Sequence, residues 1–283
     1  MTALEDSQRI QRIALQRLES LQRAGVLQLP KAAVIEDPAE EPVDEIAVDS
    51  PQIAKEPALP PTKAAAKVTA AMKTTGQKTA TQETAAKSRL SKCKEELALI
   101  QYEVARCTLC GELVENRTQT VFGVGNPQAR LCFFGEAPGA DEDRQGEPFV
   151  GRAGKLLNDI ISKGMGLTRD EIYILNVLKC RPPGNRNPAP DEVTNCRQFF
   201  ERQLETIQPE FICCLGAIAA QSLLETTTSV GRLRGQIHDY KGISVVVTYH
   251  PAYLLRKPAA KTETWKDIKI LLDAMELPIP KRS

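Results

Sequence analysis

From residue 91 onward the apolar positions alternate between two spacings. Four short runs, "ARLCFFG", "EIYILNV", "EFICCLG" and "ISVVVTYH", are dense in apolar and β-branched residues, the pattern of buried strands. The stretches "SKCKEELALIQYEVARC", "GKLLNDIISKGMG", "APDEVTNCRQFFERQLETIQP", "AIAAQSLLE" and "TETWKDIKILLDAME" carry helical spacing instead. Gly164 and Gly166 end the second of these, and Pro190 and Pro209 bracket the third. Strands joined by helices predict an α/β fold with a mainly parallel sheet covered on both faces. There is no internal repeat.

The chain before residue 91 has a different character. Ile10, Ile13, Ala14, Leu18 and Leu21 stand at helical spacing among Arg and Glu, which predicts an amphipathic helix within residues 1–29, either packed on its own domain or docking a partner. Residues 30–90 lack apolar periodicity and are expected to form a disordered Ala/Pro/Lys-rich linker, acidic over 36–49 and basic over 63–92. Residues 91–283 are then the folded domain, long enough for one substantial core.

The net charge of +1 carries no global argument for a nucleic-acid or membrane partner. No apolar run approaches the ~20 residues of a membrane span, and the N-terminus lacks a secretory h-region, so a cytoplasmic protein is expected. Its eight cysteines then sit in a reducing compartment, where burial or metal binding is favoured over disulfides.

In an open parallel sheet, ligands bind beyond the carboxyl ends of the strands. There the chain places "GEAPGADEDRQGEPFVGRAG", "NVLKCRPPGNRNP" and "YHPAYLLRKP", which bring Glu136, Glu142, Asn176 and His250 to one edge. Asn176 carries an amide suited to reading a planar ligand edge, or equally to pinning a loop. Glu136 and Glu142 suit a helix N-terminus as well as a reaction, and Phe149 suits core as well as a pocket wall. Neither G-x-G-x-x-G nor a P-loop is present. His238, in "GQIHDYKG", reads as a turn residue.

Cys107 and Cys110 form C-x-x-C, while Cys180 and Cys196 stand far along the chain; this is not the paired spacing of a zinc ribbon. Four thiolates gathered from distant segments suit a structural zinc or a cubane iron–sulfur cluster alike. Cys132, Cys213 and Cys214 lie inside apolar strands as small hydrophobes, and Cys93 on a helix.

These three motifs and the four placed cysteines resemble the family 4 uracil-DNA glycosylases, over roughly residues 91 to 278. The resemblance implies a three-layer α/β/α sandwich with a four-stranded parallel sheet. It also implies a 4Fe-4S cluster on Cys107, Cys110, Cys180 and Cys196, and excision of uracil from single- or double-stranded DNA as the first step of base excision repair. Under it, Phe149 stacks on a flipped uracil, Asn176 reads its edge, His250 supports the leaving base, and Glu136 or Glu142 orients water and favours a cationic sugar. Ala137 and Gly139 occupy the places where family 1 enzymes carry the Asp and Tyr of G-Q-D-P-Y, so water activation is distributed differently and thymine exclusion falls to Glu142 or its neighbours. Leu254 is expected to wedge into the vacated stack, and Arg256, Arg181 and Arg186 to meet phosphates. The implied enzyme is a nucleoid-associated monomer, with a repair protein as possible partner of the N-terminal helix. A non-catalytic uracil-DNA binder and an iron–sulfur scaffold are the alternatives.

Overall fold

A computed structural model describes residues 79–280. The expected N-terminal helix and residues 30–78 of the expected linker lie outside the described residues. The linker's last part, from Thr79, is helical and belongs to the first helix, α1 (Thr79–Ala105). A short α2 (Gly111–Asn116) and a two-residue strand β1 (Val124–Gly125) lead into β2 (Leu131–Gly135). Then come α3 (Ala140–Gln145), α4 (Arg152–Asp159) with a π-helical extension over Ile160–Met165, and β3 (Tyr173–Asn176). Next are α5 (Pro190–Ile207), β4 (Phe211–Leu215), α6 (Ala217–Leu224), α7 (Val230–Leu233) and the strands β5 (Ile237–Tyr240) and β6 (Ile243–Thr248). Helices α8 (Pro251–Arg256) and α9 (Lys261–Ala274) complete the order.

The strands form one sheet in the order β1-β3-β2-β4-β6-β5. The four expected strands are its centre and run parallel to one another, but the sheet has six strands and is mixed, which corrects the expectation of four. Strand β1 pairs antiparallel with β3, and β5 antiparallel with β6. The hairpin between β5 and β6 turns on Lys241 and Gly242, both at positive φ, a connection too short for anything but an antiparallel neighbour. His238 therefore lies in an edge strand rather than a turn; Ile237 and Asp239 of that strand are exposed, so no continuous apolar run announces it.

Alternate strand residues feed two cores, as the period of two requires. Cys132, Phe134, Ile212, Cys214, Val245 and Val247 pack with Ile100 and Val104 of α1 and Phe200 and Leu204 of α5. Leu131, Phe133, Cys213 and Val246 pack on the other face with Leu157, Ile161, Ile268 and Leu271. Most are wholly buried, each large side chain contributing roughly 1.5–3 kcal/mol. With helices on both faces, the open edge beyond the strands' carboxyl ends is where polar loops gather.

Candidate active site

The parallel register sets Gly135, at the end of β2, beside Asn176, at the end of β3. The strands stay joined past their ends: Val177 N–H donates to the Gly135 carbonyl and Leu178 N–H to that of Glu136, both at 3.0 Å. Asn176 is only 2% exposed, and its Oδ1 has no hydrogen-bond partner among the described residues. An unpaired buried acceptor costs about 1–3 kcal/mol, which a ligand donor would offset. The side chain borders a cavity of about 380 Å³ shared with Glu136, Ala137, Gly139, Phe149 and His250, a size suited to a small planar group. A β-carbon on Gly135 would stand 2.2 Å from Asn176 Oδ1 and 2.7 Å from the Phe149 ring, so glycine alone leaves both in place.

Phe149 belongs to the core beneath the sheet and also walls the cavity. Its φ is 55°, in the left-handed region that bulky residues seldom occupy. The ring stands 5.6 Å from that of His250, inclined by 35°.

The two glutamates divide sharply. Glu142, in the first turn of α3, spends its carboxylate on backbone: Oε2 accepts Gly139 N–H at 3.1 Å, and Oε1 accepts Val150 and Gly151 N–H at 3.0 and 2.9 Å. It closes the loop that carries Phe149. Glu136 borders the cavity, and burial raises its carboxyl pKa above the usual value.

His250 caps α8, its Nδ1 accepting Ala252 N–H at 3.2 Å. Burial pulls its pKa down to about 4, with Arg256 pushing the same way, so the ring is neutral near pH 7. Since Nδ1 is the acceptor, the ring proton resides on Nε2, leaving a neutral N–H donor at the cavity.

Residues 122–269 match the Uracil DNA glycosylase superfamily. The chain belongs to this superfamily. It is 46% identical over 184 residues to a type-4 uracil-DNA glycosylase of Archaeoglobus fulgidus, covering 62% of this chain and 91% of that protein. It is 43% identical over 165 residues to a type-4 enzyme of Thermotoga maritima, covering 58% and 85%. A type-5 uracil-DNA glycosylase of Pyrobaculum aerophilum is more distant, at 30% over 146 residues, covering 46% and 64%.

Around this pocket, the residues expected on DNA separate. Arg256 is exposed at the rim. Arg181 is half-buried, its Nε donating to Asn185 Oδ1 at 2.8 Å. Arg186 also borders the cavity, and its guanidinium pairs with Glu112 and Glu192, each at 2.6 Å. Leu254, expected as the wedge, is 1% exposed on the inner side of α8, because helical winding turns it inward and leaves the next residue, Leu255, 38% exposed.

Burial raises the thiol pKa of Cys110, Cys180 and Cys196, the last up to about 12, and neighbouring cysteines of the set push each the same way. Arg117 Nη1 donates to Cys180 Sγ at 3.0 Å, and Asn195 Nδ2 lies 3.5 Å from Cys110 Sγ. Among the described residues, no three His, Cys, Asp or Glu side chains stand tightly enough to hold a single metal ion. Cys132, Cys213 and Cys214 are wholly buried in strands.

Two participants escaped the sequence reading. Lys179 is wholly buried, its Nζ donating to the carbonyls of Asn176 at 2.9 Å and Phe122 at 3.2 Å, and burial lowers its pKa to about 7. Its one signal is a lysine inside the apolar context "NVLKC". Arg169 reaches the carbonyls of Pro148 and Phe149 from twenty residues away, and no local motif marks it.

Proposed function

We propose that the chain hydrolyses the N-glycosidic bond of a flipped-out deoxyuridine and releases free uracil from DNA, initiating base excision repair. The observation that carries this reading is Asn176, whose buried Oδ1 has no partner among the described residues, bordering one cavity together with the Phe149 ring. Uracil presents N3–H and the O4 carbonyl on one edge, which suit the amide oxygen and amide N–H of Asn176. Cytosine presents an unprotonated N3 and an amine there, so it would leave the same oxygen unpaired. Phe149 stacks on the base, whose extrusion from the duplex costs a few kcal/mol.

As the C1′–N1 bond breaks, the sugar gains positive charge and the base leaves with the electron pair as an anion. The neutral His250 donates its Nε2–H hydrogen bond to O2 of the departing base without surrendering the proton. Glu136 in its carboxylate form favours the cationic sugar and orients the water whose oxygen bonds to C1′; it takes up that water's proton, which then passes to the uracil anion, as carboxylates do in glycoside hydrolysis. Glu142 shapes the loop, since its oxygens already serve three N–H groups. Arg256 and Arg181 meet backbone phosphates, and the exposed Leu255 of α8 takes the wedge position.

The donor set at Cys107, Cys110, Cys180 and Cys196 fits a 4Fe-4S cluster: four free thiols from three segments, with nitrogen donors on two of the sulfurs. Such a cluster would cross-link the α1–α2 connection, the end of β3 and α5.

Incubation with a uracil-containing single strand tests the reading. Free uracil should appear, and Asn176→Ala and His250→Ala should each slow release by orders of magnitude while the fold persists. A well-folded protein that releases none, or variants that release it at the parental rate, would refute the proposal.

A further inference from the structure

The left-handed backbone of Phe149 is held from both sides of its following peptide. The N–H of that peptide, on Val150, is bound by Glu142 Oε1 at 3.0 Å. Its carbonyl, on Phe149, accepts Arg169 Nη1 at 3.3 Å, while the carbonyl before it, on Pro148, accepts Arg169 Nη2. Arg169 Nη1 also donates to Asn158 Oδ1 on α4 at 2.8 Å. All three acceptors are neutral, so the hydrogen bonds of the half-buried guanidinium are spent on geometry, with Glu147 acting on its charge only through space.

Arg169 is itself well anchored. It opens a short helical turn directly before β3, closed by Thr168 and Glu171, whose Oε2 accepts Thr168 N–H at 2.7 Å and Oγ–H at 2.9 Å. Five residues after that turn, β3 ends at Asn176. The segment that sets the base-reading amide thus also grips the stacking residue. Gly154 completes the arrangement: a β-carbon there would fall 1.8 Å from the Phe149 carbonyl oxygen, so that carbonyl lies directly against the first turn of α4.

We infer that Arg169 is a positioning residue for the glycosylase reaction, holding Phe149 in a strained backbone conformation that puts its ring at the height of the base read by Asn176. A bulky residue stays at positive φ only where its surroundings over-determine it, and Arg169 supplies the carbonyl side of that constraint. The inference rests on the proposed uracil chemistry for its kinetic consequence but not for its structural one.

The test is a double-mutant cycle on the full chain with uracil-containing single strand, joined to a crystal structure of the Arg169 variant. Arg169→Met should lower kcat/KM by roughly ten- to a hundred-fold, the effect of a small misplacement. In the Phe149→Ala background the same change should cost less than about two-fold, because the group through which it acts is gone. Arg169→Lys, which keeps a cation but not the fork, should fall between, and it carries the cycle if the Met variant does not fold. Loss of equal size in both backgrounds, or parental activity in the single variants, overturns the inference. In the crystal, Phe149 should leave positive φ; an unmoved ring and backbone overturns it equally. A parental protein that releases no uracil would defeat the functional reading alone, and the Phe149 backbone would still decide the role of Arg169.

Discussion

Glu142 Oε1 accepts the backbone N–H of Gly151 at 2.9 Å across nine residues, which makes this carboxylate a brace of the pocket loop. With Val150 and Gly139 also bound, Glu142→Ala leaves three N–H groups without their acceptor and should cost on the order of 2–3 kcal/mol of stability. Glu136→Gln should behave oppositely, slowing uracil release by about 10²-fold or more while the protein melts no lower than the parent. Thermal melts and single-turnover rates of the pair separate the roles; reversal of the two phenotypes would show the assignment to be inverted.

Gly135→Ala is the sharpest steric test of the pocket. Its β-carbon would press on Asn176 Oδ1 and on the Phe149 ring, so one or both must move out of the base plane. Uracil release should drop by orders of magnitude with little change in secondary structure, read by rates alongside circular dichroism.

The pocket was legible in the sequence because its parts follow strands. "LCFF" and "YILN" are apolar runs whose ends could be located, and the parallel sheet then brings Glu136, Asn176 and His250 together. The six-residue helix α8 was hidden within "HPAYLLR": too short to show a period, it nonetheless inverts which of Leu254 and Leu255 faces outward. Strand β5 was hidden because its exposed residues alternate with half-buried ones at the sheet edge. The division between Glu136 and Glu142 had a visible clue, Gly139 followed three residues later by Glu142 at the start of a helix. Arg169 had none and Lys179 only its apolar context, since both act on carbonyls, which every residue carries.

Acid titration should separate His250 from Glu136. The folded pKa of His250 lies near 4 against about 6.5 when unfolded, so the unfolded chain binds more protons and stability falls as pH drops from 6.5 to 4. His250→Asn should remove that part of the loss, seen in chemical melts across the window. Glu136 has the opposite sign: its raised pKa makes the ionised form a burden on the fold, so the stability gained in Glu136→Gln at neutral pH should vanish below about 4.5. Activity should nevertheless fall on the acid side as Glu136 takes up its proton, with no further inflection between pH 5 and 8 from His250.

Arg256 and Arg186 both border the cavity, yet only Arg256 is exposed and free of the ion pairs that hold Arg186 between Glu112 and Glu192. A cation already neutralised by two carboxylates displaces few counterions from DNA, whereas an exposed one displaces about one. Arg256→Ala should therefore weaken binding to a uracil-containing strand and reduce the slope of log K against log salt by about one, independent of base sequence. Arg186→Ala should leave the slope unchanged and instead lower the melting temperature, because it strands the buried Glu192 carboxylate. Binding titrations at several salt concentrations decide it: equal slopes for parent and Arg256→Ala would remove this arginine from the phosphate contacts.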